Sequence, residues 1–172
     1  MDYSKIVADP DRGREIALDY QSAPSYDPRA EAAYVAFRNE TVRQWEELRQ
    51  SVELTVSATD PYTDYADMIA DVATGHLAVL STAATGGHPF MTDAENDMFR
   101  AVHDYHGHFS TGRDFSRHGE EAAWFRHSRM YSDLARSAMT TETRGQNSVF
   151  IWLNGGREFP EQKLMTLDRW SR

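Results

Sequence analysis

The sequence predicts a mainly α-helical α+β domain with a minor β element. Three observations lead there. Long stretches repeat apolar residues at three- and four-residue intervals, the period of a helix with one buried face. Only "VELTV" alternates as a half-buried strand does, and one further apolar run, "HLAVLST", fits a second strand or a helix continuation. The chain has 172 residues, 40% of them hydrophobic and 12% aromatic, enough to bury one core without cross-links.

The elements follow in chain order. Residues 1–26 are polar and hold Pro10, Gly13 and Pro24, and read as an irregular arm with a short helix near Arg14 to Tyr20. A helical domain is expected over 27–158. Its first helix is "YDPRAEAAYVAFRNETVRQWEELRQ", capped by Asp27, with Pro28 in its first turn. Ala30, Tyr34, Phe37, Thr41, Trp45 and Leu48 form its buried stripe. In "VELTV", Val52, Leu54 and Val56 share a side. Asp60 and Pro61 open a second helix, which Gly75 ends. If "HLAVLST" is a strand, a small sheet follows. "TAATGGHPF" and "STGRDFSRHG" are loops by composition. Between them, Thr92 and Glu95 stand in capping-box spacing and start "TDAENDMFRAVHDYHGH". "EEAAWFRHSRMYSDLARSAMTTETRG" is a long helical stretch with a break near Ser132–Asp133, ended by Gly145. "VFIWLNGG" is a short strand or helical turn, and residues 159–172 are a peripheral tail.

Charge and composition exclude several classes of function. The net charge is −9 and no Lys/Arg run is present, so binding to duplex nucleic acid is not expected. No apolar run reaches membrane-spanning length, and the first residues lack an apolar signal core. The absence of cysteine removes disulfides, thiolate zinc sites and a cysteine nucleophile, and agrees with a cytoplasmic setting. A small-molecule substrate is the expected partner.

Five of the seven histidines lie between His103 and His127. A single helical histidine is ordinarily a surface or half-buried residue, but several beside carboxylates point to a metal. His103 and His108 are five apart, roughly 140° around an ideal helix. They meet one ion only if the helix ends or bends between them, and Gly107 stands where a bend is cheap. The candidates for a third ligand are Glu120, Glu121, His127 and Glu142. Two imidazoles and one carboxylate make the facial triad of non-heme Fe(II) oxygenases, with positions open to dioxygen and substrate.

"HDYHGH" resembles the His-(Glu/Asp)-x-x-Gly-His motif of the pterin-dependent aromatic amino acid hydroxylases, and "LARSAMTTETRG" resembles that family's later glutamate segment. The similarity spans His103 to Gly145 and not the whole chain. It implies Fe(II) held by His103, His108 and Glu142, hydroxylation of a small aromatic or heteroaromatic substrate, and possible pterin use. Three departures are visible. Phe109, Ser110 and Thr111 follow where the family has a proline, Glu142 stands three residues before Gly145 rather than two, and no pterin-binding segment is found.

Around these ligands, Glu120 and His127 are seven apart and share a helical face. Asp104, Glu120 and His127 are further ligands or outer partners of the histidines, and Glu121 is an outer partner. Arg144 suits bidentate capture of a substrate carboxylate or phosphate, against the plainer alternative of a salt bridge to one of the many acids. Glu121 and Arg144 are thus the candidate catalytic residues. Tyr105, Phe109, Trp124 and Phe125 either wall an aromatic pocket or pack the core. Two rival functions use the same residues. Zinc or manganese in place of iron would activate water for hydrolysis, with Glu120 or Glu121 as general base. A structural or interaction protein would hold a closed metal shell or none.

Overall fold

The computed structural model describes all 172 residues and shows a mainly helical α+β fold. The long helix α2 (Glu31–Leu48) lies at its centre. Its stripe of Ala33, Tyr34, Phe37, Trp45 and Leu48 is buried against α4 (Asp93–His103) and α6 (Asp133–Thr140). Two further positions on that stripe, Thr41 and Gln44, are polar and buried.

β1 (Glu53–Ser57) and β2 (His76–Leu80) pair in parallel, Glu53 opposite His76 and Ser57 opposite Leu80. A parallel pair needs a crossover, and α3 (Tyr65–Val72) supplies it. Asp64 caps α3, accepting from the N–H groups of Ala66 and Asp67, so the helix starts later than Asp60–Pro61. Gly75 turns the chain into β2 with φ +86°. The capping box of Thr92 and Glu95 forms as expected and starts α4. Ser116 caps α5 (Arg117–His127), and Ser132 caps α6 after the expected break.

Two expectations need correction. The N-terminal segment is not an irregular arm: α1 runs over Pro10–Ser22, capped by Asp9, and buries Ile16, Ala17 and Tyr20. The C-terminal segment is not peripheral throughout. Leu164, Met165 and Leu167 are buried, and Leu164 exchanges backbone hydrogen bonds with Ser25 and Asp27. The physical reason is mutual: α1 packs on the helical segment from Thr141 to Leu153, and its apolar face, the tail and Val149 share a second small core.

Helical structure also continues past Gly107, where an end or bend is expected, and past Gly145, expected to stop it, by widening into π-helical turns. One such turn is Asp104–His108, directly after α4. Another, Thr141–Gly145, joins α6 to the short α7 (Gln146–Ser148), and a third follows at Val149–Leu153. Gly145 allows close packing rather than termination: a Cβ there would lie 2.7 Å from Leu167 and 2.9 Å from Tyr20. No helix is long and apolar enough to cross a membrane.

Candidate metal centre

The π turn after α4 builds the centre. Its hydrogen bonds run from i to i+5 rather than i to i+4, so side chains five apart come round to the same side of the helix. His103 and His108, far apart around an α-helix, thereby face one point, with ring centres 5.3 Å apart. Gly107 lets α5 approach this turn, because a Cβ would meet the Ala123 Cβ at 3.0 Å. That approach delivers Glu120 from the first turn of α5. Ligand atoms of His103, His108 and Glu120 lie within 4.8 Å of one another. Glu120 Oε1 is 3.6 Å from His108 Nε2, and Oε2 is 3.9 Å from His103 Nε2. These separations are too long for hydrogen bonds. Two ligands on one ion with bonds of about 2.1 Å sit roughly 3–3.5 Å apart, so a small contraction would close the three around a cation.

Hydrogen bonding fixes which imidazole nitrogens face inward. The Arg113 carbonyl lies 3.0 Å from His108 Nδ1. A carbonyl only accepts, so Nδ1 carries a proton and Nε2 is the nitrogen left for a metal. A relay does the same for His103. Gln44 Oε1 accepts from His127 Nε2 at 2.8 Å, so His127 Nδ1 is an acceptor and takes the Nδ1 proton of His103 at 3.2 Å. His103 Nε2 is then free. The Gln44 amide pays for this orientation with a buried Nε2 that has no partner. Burial, with the charges of His103 and His106 adding to it, holds His127 well below an ordinary histidine, so it stays neutral. Asn147 Nδ2 donates to Glu120 Oε2 at 2.7 Å and orients the carboxylate.

The electrostatics match a cation site. Burial alone would depress His108, but the Glu120 carboxylate, with Asp104 and the Arg113 carbonyl, pushes it up to about 9. Burial alone would raise Glu120, but His108 and His103 hold it well below the ordinary range. Without a metal, a proton on His108 thus balances Glu120. Burial raises Asp104, against the opposing pull of His108 and His103. Its carboxylate hydrogen-bonds neither imidazole, whose Nδ1 atoms are engaged elsewhere.

Of the predicted ligands, the structure brings together His103 and His108 and puts Glu120 in the place expected for Glu142. The Glu142 carboxylate instead accepts from the Tyr34 hydroxyl at 2.5 Å and from Gln146 Nε2 at 2.8 Å, and faces His88 Nε2 at 3.3 Å. The reason is rotational. The π turn at Thr141–Gly145 directs Glu142 toward α2 and Arg144 toward α5. The candidate catalytic pair, Glu121 and Arg144, is one buried salt bridge: Arg144 Nε donates to Glu121 Oε2 at 2.9 Å, and Nη2 donates to Oε1. Arg144 also covers the Trp124 ring at 3.7 Å and donates to the Trp170 carbonyl at 2.9 Å. His127 is an outer partner and not a ligand. Tyr105, Phe109 and Phe125 pack against the main core, and Trp124 lies within it, its indole donating to Thr140.

Sequence reasoning missed Gln44. A signal was available, because Gln44 adds a second polar residue beside Thr41 to the buried helical stripe, next to Trp45. The Arg113 carbonyl left no signal, since any residue supplies a carbonyl. In comparisons with known proteins, no family model, curated protein or solved structure matches this chain.

Proposed function

We propose that this chain is a mononuclear non-heme metalloenzyme that holds Fe(II) through His103, His108 and Glu120 and hydroxylates a small substrate with dioxygen. One observation carries the reading: two Nε2 atoms and one carboxylate converge while both Nδ1 protons are donated outward. This is the two-histidine, one-carboxylate set suited to Fe(II), and it leaves coordination positions for other ligands. Bound iron would supply dioxygen activation there. The protein's own part is to fix ligand orientation through Gln44, His127, the Arg113 carbonyl and Asn147. The resemblance to the aromatic amino acid hydroxylases supports the reading through its two histidines and no longer through Glu142. Pterin use gains no support. The acidic, cysteine-free composition fits a cytoplasmic enzyme acting on a small molecule.

Zinc- or manganese-dependent hydrolysis is the less favoured reading. It needs a general base beside the metal, and both carboxylates suggested for that role are engaged, Glu120 as a ligand and Glu121 by Arg144. The test is anaerobic loading with Fe(II), followed by admission of oxygen and measurement of its uptake with panels of small carboxylated and aromatic compounds. Substrate-dependent uptake that His108→Ala abolishes is expected. Metal-dependent hydrolysis of ester or phosphoester probes with zinc, and no oxygen uptake with iron, would replace the oxygenase reading.

A further inference from the structure

Beside the metal centre lies a cleft between α1, the start of α5 and the helical segment after Gly145, and Glu120 forms part of its wall. Arg12 and Arg117 border it, together with the bound Arg144, Asn147 and Trp152. In this chain acids outnumber Lys and Arg by 27 to 18, and two of the four arginines near the cleft have found one: Arg14 pairs with Asp11, and Arg144 with Glu121. Arg12 and Arg117 touch no carboxylate. The Arg117 side chain reaches only His118 Nε2, at 3.4 Å, and the face of Trp152, whose ring centre is 5.6 Å away. Arg12 makes no side-chain hydrogen bond, yet stands close enough to Arg144 to lower that residue's proton affinity, after burial and against Glu121. Asp9, Glu120 and Glu121 also line the cleft, but Asp9 caps α1, Glu120 faces the two histidines and Glu121 is taken by Arg144. Arg12 and Arg117 are thus the groups left to meet an anion, and their planar forks match oxyanions.

We propose that this cleft binds the oxyanion of the substrate, a carboxylate or phosphate, between Arg12 and Arg117, with the rest of the molecule directed to the Glu120 side of the centre. The cleft offers about 30 Å³, room for little more than a water or the reacting tip of a small molecule. The oxyanion lies outside that space, between the exposed arginines and beside the Trp152 ring. The substrate is therefore small and anionic, and its recognition shifts from Arg144, which the salt bridge occupies, to two residues that the sequence alone did not single out. The proposal rests on the metal reading only for where the reacting end lies, and anion capture by the two arginines stands apart from it.

The test titrates the full-length chain with inorganic phosphate, and separately with acetate, against sodium chloride at equal ionic strength. The readout is the indole N–H resonance of Trp152, assigned with Trp152→Phe, in chelator-treated and in Fe(II)-loaded protein. Saturable binding of one anion, weakened at least tenfold in Arg12→Gln/Arg117→Gln and unchanged in Arg157→Gln, is expected, and the tighter anion names the class. Both arginines are exposed, so the variants should keep the fold, and circular dichroism checks this. No saturable response to either anion, or an unchanged midpoint in the double variant, overturns the proposal. Anion binding in chelated protein that takes up no iron would leave the cleft standing and remove the metal reading. Iron uptake without anion binding would do the reverse.

Discussion

Two buried clusters of glutamate and histidine lie in this molecule, and they differ in which nitrogen carries the proton when the imidazoles are neutral. Around Glu142, protons point inward. Tyr34 and Gln146 donate to the carboxylate, and His88 Nδ1 accepts from the N–H groups of Phe90 and Met91, so the His88 proton sits on Nε2, facing Glu142. That N–H lies 3.3 Å from Glu142 Oε2 but out of line for a hydrogen bond. No lone pair of His88 remains for an ion. Around Glu120, the Nδ1 protons of both histidines point outward, to His127 and to the Arg113 carbonyl, and the two Nε2 atoms face the carboxylate at 3.6 and 3.9 Å. Identical residue types thus make a closed structural knot in one place and a candidate ligand set in the other. Burial does not separate them, since both are enclosed; tautomer and spacing do.

The largest expected effect comes from breaking the closed cluster. Glu142→Ala leaves the Gln146 amide buried without its acceptor, removes the anion that faces the His88 N–H, and leaves the Tyr34 hydroxyl only the Lys163 carbonyl. It should cost about 3 kcal/mol of stability, read as a drop in Tm of roughly 10 °C. The protein that stays folded should keep its metal affinity. Loss of metal with unchanged stability would make Glu142 a ligand after all and erase the distinction.

A smaller effect should follow from disturbing the relay. Gln44→Leu removes the acceptor that holds the His127 proton on Nε2. His127 can then protonate Nδ1 and push the His103 proton to Nε2, where it opposes a cation. Metal affinity should fall about 10- to 100-fold, with His103 present and the fold retained. Nitrogen-15 imidazole shifts that show the same tautomers in both proteins would refute the relay.

The dependence on pH is gentler and has a defined sign. In the metal-free chain His108 holds its proton up to about pH 9, above the value of about 6.5 in an unfolded chain. Its contribution to stability is therefore complete below about pH 6.5 and fades as pH rises through about 9. Glu120, held low, contributes above about pH 4.3 and loses its effect as pH falls through its depressed value. A metal must displace the His108 proton. Affinity should therefore rise about tenfold per pH unit on approaching pH 9 and then level off. An affinity that is flat from pH 6.5 to 8.5 would show that no such proton is exchanged.

Much of the architecture was legible because local rules were obeyed. The stripe of α2, the Thr92–Glu95 capping box and the Ser132 cap are all readable at short range. α1 was readable too, since Asp9 precedes Pro10 and Gly13, Ile16, Ala17 and Tyr20 repeat at helical intervals. At the site, the His103–His108 pair with Gly107 between them was visible, but the way the helix joins them was not. A π turn has no composition of its own, and it rotates everything beyond it. That rotation is also why Glu142 and Glu120 were exchanged as third ligand. Their fates are decided by Tyr34 and Asn147, which lie 108 and 27 residues away, and such pairings are properties of packing rather than of spacing.

The most direct test is calorimetric titration of chelator-treated protein with Fe(II) under anaerobic conditions, for the parent, Glu120→Ala and Glu142→Ala. The account predicts one ion per chain in the parent, loss of affinity by at least about 100-fold in Glu120→Ala, and parent-like binding in folded Glu142→Ala. No stoichiometric binding in the parent, or binding that survives Glu120→Ala and vanishes in Glu142→Ala, would contradict it.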